Sequence, residues 1–188
     1  MQVLLQPLAA ALLRHAQRRD AGQNEDAATD ARGNRGVEGD NSEYNQAAEP
    51  FSNPTMYNLT FFGSGEPGFD EANSPGIFLR RGARGSFNNV ALSNFYSTCI
   101  DVNDAATQGQ ADAGNVKMDG IACWKTNLGG TPADTLAGNI PSATYNLPYA
   151  QGQKGNGAGK NFLVANPLFT RPFEYSDPDF AVLFGSPL

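Results

Sequence analysis

The chain has 188 residues, of which 40% are hydrophobic and 17% charged, so it is long enough for one folded unit. Its formal net charge of −6 argues against a nucleic-acid-binding protein, which normally presents a basic surface. With one histidine, His15, two cysteines and no Cys-x-x-Cys pair, it lacks the residues of a zinc site, and no stretch is apolar for long enough to span a membrane.

The first part of the chain, residues 1–35, differs in character from the rest. Its leucines recur at spacings of three and four, which predicts a short amphipathic helix over residues 1–20 that carries Leu4, Leu5, Leu8, Leu12 and Leu13. Such a helix could be a targeting segment, but a cover for the open end of the following structure is the favoured interpretation. No basic residue precedes the apolar run, so it is not a clear signal peptide. Residues 20–35 are small and polar, as in a linker.

Short strands with alternating polarity begin at residue 36 and are separated by turns that contain Gly, Asn or Arg. We expect them at 36–41, 54–62, 76–79, 89–92, 99–102 and 115–126, with loops between them that include 105–114. Residues 127–160 interrupt this pattern as a long loop insertion rich in Gly and Pro. Its apolar residues would anchor it to the flank of the strands: Leu136, Ile140, Tyr145, Leu147 and Tyr149. Strands return at 162–164 and 180–183.

The strands repeat with a period. Four-residue segments that begin at Asn58, Asn89 and Gly120 are alike and lie 31 residues apart. A second, interleaved series aligns Val37, Ile77 and Ile100. One coil alone has too little core to be stable, whereas stacked coils share an apolar interior and pair their backbone groups. We therefore predict an all-β parallel solenoid of about three coils over residues 36–188, with a ladder of side-chain amides from Asn58 to Asn89.

The two cysteines leave two alternatives open. Cys99 and Cys123 form one disulfide if the protein is exported, or they are two small buried thiols, and the second alternative is slightly favoured.

Several of these motifs resemble a known family. The segments GVEGDN, NPTMYNLTFFGSGE, GIFLRRGARGSFNNVALSNF and CIDVND resemble bacterial exported, lipoprotein-like, right-handed parallel β-helix proteins of the pectin-lyase-like superfold. The ending, NPLFTRPFEYSDPDFAVLFGSPL, is similar to the closing segment of such proteins. The resemblance covers residues 33–188 and implies a right-handed β-helix and an exported location. Because family members have further coils before this point, it also implies that the chain is a truncated C-terminal portion.

The alternation of the aligned strands predicts which side chains face outward. If the series that begins at Val37 points inward, successive outward rows form one face, which contains Glu38, Asp40, Phe78, Arg80, Arg81, Asp101, Asn103 and Asp104. This face is the candidate binding surface. Arg81 and Asp104 stand where strands meet their turns.

The resemblance implies a chemistry for this face. Pectate-lyase-like β-helices hold Ca²⁺ with carboxylates, which neutralises a uronate, and use an Arg to take a proton from the sugar. Here Arg80 or Arg81 would be the catalytic candidate, and Asp40, Asp101 and Asp104, together with Glu38, the candidate Ca²⁺ ligands. The simpler interpretation, and the favoured one, is a charge ladder in which acidic neighbours neutralise both arginines.

Two other functional motifs lack residues that they require. Residues 101–104 resemble the start of an EF-hand loop, but Ala105 and Ala106 stand where a ligand and a glycine are needed. Residues 155–160 lack the first glycine of a phosphate-binding loop. The leading functional prediction is therefore a non-catalytic exported or surface protein that binds no resident cofactor and contacts a polysaccharide or a surface protein. The alternative is a polysaccharide lyase of the β-helix type, and a chain without independent function is a third possibility.

Overall fold

The structure, a computed structural model, describes residues 35–63, 75–130, 134–155, 160–172, 177 and 179–188, so the predicted N-terminal helix lies outside the described residues. Within them the fold is all-β with three short helices. The strands are β1 (Val37–Asp40), β2 (Thr55–Phe62), β3 (Pro75–Arg80), β4 (Gly85–Ser93), β5 (Thr98–Val102), β6 (Val116–Trp124), β7 (Lys160–Val164), β8 (Phe169–Arg171) and β9 (Asp179–Val182). The helices are α1 (Ala105–Asp112), α2 (Leu136–Asn139) and α3 (Asn146–Ala150). None of these helices has the length and apolar character of a membrane span.

Two parallel sheets are built from interleaved strands. The first sheet has the order β1-β3-β5 and the second has the order β2-β4-β6-β7, so the chain passes from one sheet to the other and back. In the first sheet Val37 pairs with Ile77, and Ile77 with Ile100, which confirms the predicted alignment of this series. In the second sheet Leu59 pairs with Val90, and Val90 with Ile121, as the 31-residue period predicted.

Each strand of the second sheet bends at one residue with a left-handed backbone. These residues occupy one column across the sheet, with φ between 55° and 66°: Asn58, Asn89, Gly120 and Asn161. Asparagine and glycine are the residues that best tolerate this conformation. The side-chain amide of Asn89 donates to Oδ1 of Asn58 at 3.1 Å, which confirms the predicted ladder at this step. The bend also shifts the alternation, because Phe87 and Val90 are three residues apart and both are buried.

The core lies between the two sheets and is closed by a disulfide. Inward side chains of β3, β4, β5 and β6 are almost completely buried, including Ile77, Phe87, Leu92, Ile100 and Ile121. Cys99 on β5 and Cys123 on β6 are bonded to each other, with Cα atoms 5.8 Å apart. The expectation of two free thiols was therefore wrong. Stacking brings the two cysteines, 24 residues apart in sequence, to facing positions of the two sheets.

The segment predicted as a flanking loop insertion instead belongs to the core. Ile140 and Tyr149 are fully buried, Tyr145 is nearly so, and Leu136 and Leu147 pack against the same cluster. The five predicted anchors are thus confirmed, but they do more than attach a loop. Helix α3 lies beside β5, the last strand of the first sheet, whereas helix α2 lies beside β6 and β7 of the second sheet.

Residues 105–112 form helix α1 where a loop was expected. Asp104 caps its N-terminus by accepting from the backbone N–H of Thr107 at 2.8 Å. Gly114, with φ of +80°, follows its C-terminal cap. The helical sequence, Ala-Ala-Thr-Gln-Gly-Gln-Ala-Asp, has almost no amphipathic stripe, so its periodicity did not predict a helix. The sequence signals of this helix are its N-cap residue, Asp104, and the glycine that follows its C-terminus.

The C-terminal residues form an antiparallel hairpin rather than another parallel strand pair. Strands β8 and β9 pair with each other, and among the described strands they pair with no other. Phe62, Phe169 and Phe180 form an aromatic cluster with ring centroids 5.5–6.4 Å apart, which attaches the hairpin to the outer side of the second sheet.

Candidate functional site

The two candidate catalytic arginines lie in a network of ion pairs on the first sheet. Nε of Arg80 donates to Asp40 at 2.7 Å, and its Nη2 donates to Glu38 at 2.8 Å. Nη1 of Arg81 donates to the other oxygen of Asp40 at 2.9 Å, and its Nη2 lies 3.2 Å from Glu43. The hydrogen bond to Asp40 raises the pKa of Arg80 above its ordinary value. Arg80 is therefore held as a cation and is poorly suited to accept a proton.

Phe78 faces outward as the alternation predicted, but it does not offer an exposed ring. The guanidinium of Arg35 lies 4.7 Å from the ring centroid and that of Arg80 lies 5.2 Å from it. Glu38 forms an ion pair of 2.8 Å with Arg35 and another of 2.8 Å with Arg80. Phe78 is consequently only 2% exposed, because the neighbouring cations cover its ring within the predicted binding face.

The predicted Ca²⁺ ligands do not converge. Asp40 is bonded to the two arginines, whereas Asp104 accepts from the backbone N–H groups of Arg81 and Thr107. Asp101 accepts from the amides of Asn103 and Asn146. Within the described part of the chain, no three acidic, His or Cys side chains come close enough together to hold a metal ion. The residues present therefore do not fit the Ca²⁺ site that the resemblance implied.

Asp101 and Asn103 line a groove that the predicted face did not include in full. One wall is β5 with the start of α1, and the other is the segment between α2 and α3. We call this cavity of about 360 Å³ the polar groove; its lining consists of Ser97, Thr98, Asp101, Val102, Asn103, Gln108, Pro141, Ser142, Thr144 and Asn146. Hydroxyls and amides predominate, and Asp101 is its one carboxylate.

Asn146 builds the floor of the polar groove and completes the edge of the first sheet. Its side-chain oxygen accepts from the buried backbone N–H of Val102 at 2.9 Å, and its amide donates to Asp101 at 2.9 Å. The last strand of the sheet would otherwise present an unpaired donor at this point. Because one side chain satisfies two partners, the position of the carboxylate of Asp101 is fixed relative to residues 134–155, which we call the covering segment.

Two tyrosines hold the covering segment in place. The hydroxyl of Tyr145 donates to Asp112 at 2.8 Å, and that of Tyr149 donates to the backbone carbonyl of Val116 at 3.2 Å. Burial raises the pKa of both phenols, and the hydrogen bond to Asp112 raises that of Tyr145 further. Both are therefore neutral anchors at physiological pH rather than acids or bases.

The sequence-based face is thus divided by the structure. Its β1–β3 half is the ion-pair network, and its β5 half is one wall of the polar groove. Sequence reasoning missed the other wall, which is formed by Ser142 and Thr144. These residues lie in the covering segment, and no repeat places that segment opposite β5. The only local sign was an alternation of small polar residues between apolar anchors.

Comparison with known proteins gives one significant finding. Residues 21–164 match the family model described as pectate-lyase-like beta helix domain, which is more than half of the chain. The chain belongs to the pectate-lyase-like β-helix domain family. A search of curated proteins and a search of solved structures each found no significant match.

Membership in the pectate-lyase-like β-helix domain family agrees with the all-β fold and its parallel sheets. The match ends at Val164, so it does not include the C-terminal segment that resembled the closing turns of such proteins. The truncation and the lipoprotein-like character implied by the resemblance stay predictions. The family assignment indicates a polysaccharide-related protein, and the geometry described above bears on whether it also carries out catalysis.

Proposed function

We propose that this chain is a non-catalytic, exported protein that contacts a polysaccharide through the polar groove. The interleaved strand order supports a right-handed β-helix of about three coils, in which the two parallel sheets are faces of one stack. Family membership supports the link to polysaccharides.

The observation that carries the non-catalytic assignment is the neutralised state of Arg80 and Arg81. A lyase of this type needs an arginine that is free to approach the sugar beside clustered carboxylates. Here the nearest carboxylates already form ion pairs of 2.7–3.2 Å with the two arginines. They belong to Glu38, Asp40 and Glu43. Releasing either arginine would cost Asp40 one of its two charged partners.

The polar groove suits a ligand with many hydroxyl groups. Hydroxyl and amide side chains can both donate and accept, as the hydroxyls of a sugar require. A volume of about 360 Å³ lies within the usual range for small-molecule sites. Asp101 supplies one strong acceptor, and its bonds to Asn103 and Asn146 hold it in one orientation.

The exported location is supported by the disulfide. Bonds between cysteines persist mainly in oxidising compartments and are rare in the cytosol. Cys99 and Cys123 are the only cysteines of the chain, and both are used in the bond.

Binding to a panel of immobilised polysaccharides, followed by titration with an oligosaccharide of the best one, tests the proposal. Asn103→Ala and Thr144→Ala each remove one polar group from opposite walls of the groove, and each is expected to weaken binding about fivefold. Gln153→Ala is the matched control, because this exposed amide lies outside the groove lining, and it should leave binding unchanged.

The same panel also tests the catalytic alternative. Cleavage by elimination creates an unsaturated sugar that absorbs ultraviolet light, and we expect none with any polysaccharide, with or without added Ca²⁺. Elimination that disappears in Arg80→Lys would overturn the non-catalytic assignment. Binding that is equal in the two groove variants, the control and the parent protein would overturn the placement of the ligand in the polar groove.

We also propose that residues 1–35 are a distinct segment whose apolar residues cover the first coil of the domain formed by residues 36–188. The inward residues of β1 and β2 are only half-buried, whereas their partners in the next coil are almost completely buried. The half-buried residues are Val37, Met56, Leu59 and Phe61. The double variant Leu8→Asp/Leu12→Asp should lower the melting temperature and increase binding of a hydrophobic dye. An unchanged melting temperature would contradict this assignment.

A further inference from the structure

A second groove lies on the outer side of the second sheet, where its strands end. Phe62, Ser93 and Trp124 are register partners in adjacent strands and face outward in one row. The small Ser93 between two large aromatic residues leaves a depression. Residues 166–169, Pro172 and Leu183 form the opposite wall, and the cavity has a volume of about 340 Å³. We call it the aromatic groove.

The aromatic walls of this groove are held in position by packing. The ring of Phe62 makes an edge contact with that of Phe169, with centroids 6.4 Å apart. The hydroxyl of Ser93 donates to the backbone carbonyl of Trp124 at 3.0 Å, which ties the strands together at the floor. Trp124 is partly exposed and lines the cavity. A partly exposed indole is a surface on which a flat apolar face can stack.

The polar part of the groove is cationic. Lys125 is exposed, lines the cavity, and forms no ion pair with any residue of the described ranges. Its backbone is left-handed, with φ of +49°, a conformation that long side chains rarely adopt. The residue one coil earlier, Asn94, also has a left-handed backbone and uses its amide to bind the carbonyl of Gly63. A lysine at this position contributes no such bond, so its charge is available to a ligand.

We propose that the aromatic groove is a second binding site, for a sugar ring that carries a negatively charged group. The apolar face of the ring stacks on Trp124, and the anionic group pairs with Lys125. The amide of Asn166 at the opposite wall is a further polar contact for hydroxyls. The site lies on the second sheet, whereas the polar groove lies on the first, so it is independent of the function proposed above. A chain with both sites would contact glycans on two faces.

The protein contains one tryptophan, so its intrinsic fluorescence reports on this groove directly. Three probes separate the contributions: dextran sulfate oligosaccharide, uncharged dextran oligosaccharide of the same length, and inorganic sulfate. We expect a saturable fluorescence change with the sulfated sugar, a weaker one with the neutral sugar, and none with inorganic sulfate at matched ionic strength. Calorimetric titration gives the affinities of variants that lack the indole.

Two variants test the two contacts. Trp124→Ala should weaken binding of the sulfated sugar about tenfold, as expected for loss of aromatic stacking. Asparagine tolerates a left-handed backbone, so Lys125→Asn removes the charge without straining the chain. This variant should weaken binding of the sulfated sugar about threefold to fivefold and leave binding of the neutral sugar unaffected. Gln153→Ala, at an exposed residue outside the lining of both grooves, is the control and should change neither affinity. Circular dichroism and thermal melting of each variant establish that it is folded.

Four results would overturn the proposal. The first is the absence of a fluorescence change with either sugar at millimolar concentration. The second is an equal response to inorganic sulfate, which would indicate a simple anion contact. The third is full binding by folded Trp124→Ala. The fourth is loss of binding in folded Asn103→Ala alone, which would assign the sugar to the polar groove.

Discussion

The disulfide between Cys99 and Cys123 should provide a large share of the stability of this fold. It joins β5 of the first sheet to β6 of the second, and both cysteines are completely buried. The perturbation is reduction of the native protein, compared with the double variant Cys99→Ala/Cys123→Ala. Reduction leaves both sulfur atoms in the core, so it isolates the effect of the covalent bond from the effect of lost packing.

The expected magnitude follows from the loop that the bond closes. The two cysteines are 24 residues apart. In the chain-entropy model a loop of this size constrains the unfolded chain by about 3 to 3.5 kcal/mol. The double alanine variant should lose roughly 1 kcal/mol more for each sulfur atom removed from a fully packed site. For a chain of this size the urea midpoint should fall by roughly 1 to 2 M on reduction.

The assay is equilibrium urea unfolding followed by circular dichroism, with and without a phosphine reductant. Thiol titration in denaturant should find no free thiol in the untreated protein and two after reduction. The reasoning would be refuted if the fully reduced protein unfolded at the same urea concentration as the oxidised protein with an unchanged slope. Two free thiols in the untreated protein would refute the bond itself.

Three further perturbations have defined outcomes. Asn89→Ala should lower the unfolding free energy by about 2 kcal/mol, because alanine loses the bond to Asn58 and resists a left-handed backbone, while Asn89→Gly should lose only about 1 kcal/mol; equal losses in urea unfolding would contradict the role of the bend. Asn146→Ala should cost about 1 to 3 kcal/mol, since the buried N–H of Val102 loses its acceptor, and amide exchange at Val102 would show no change if this were wrong. The pKa of Tyr149 is raised in the fold above its ordinary value of 10.0, so the unfolded chain releases this proton first and stability falls as pH rises beyond about 10; melting between pH 8 and 11 should be less pH-dependent in Tyr149→Phe, and an unaltered dependence would disprove the assignment.

The success of the sequence-based alignment has a physical cause. In parallel stacked strands, residues one period apart occupy equivalent positions, so Asn58 and Asn89, or Val37 and Ile77, face the same environment and have similar residue types. The same alignment found the ion-pair face, because alternation places Asp40 beside Arg80. Whether those charges are free or mutually neutralised depends on side-chain conformations that a strand pattern does not specify.

The covering segment shows where sequence reasoning was incomplete. The buried positions of residues 127–160 were predicted from their apolar character, and Ile140 and Tyr149 are indeed in the core. Their partners were not predicted, because the segment has no period that relates it to the coils. The polar groove depends on that unpredicted juxtaposition, since Thr144 and Asn103 belong to elements about 40 residues apart.

The sequence by itself determined the all-β class, the period, the register of both parallel sheets and the outward rows, because each follows from a local repeat of residue types. Only the tertiary structure decided how distant groups meet. It joined Cys99 to Cys123, covered Phe78 with two guanidiniums, and divided the predicted binding face into an ion-pair network and a polar groove. These outcomes depend on distances between side chains of different strands and of the covering segment, which no single strand encodes.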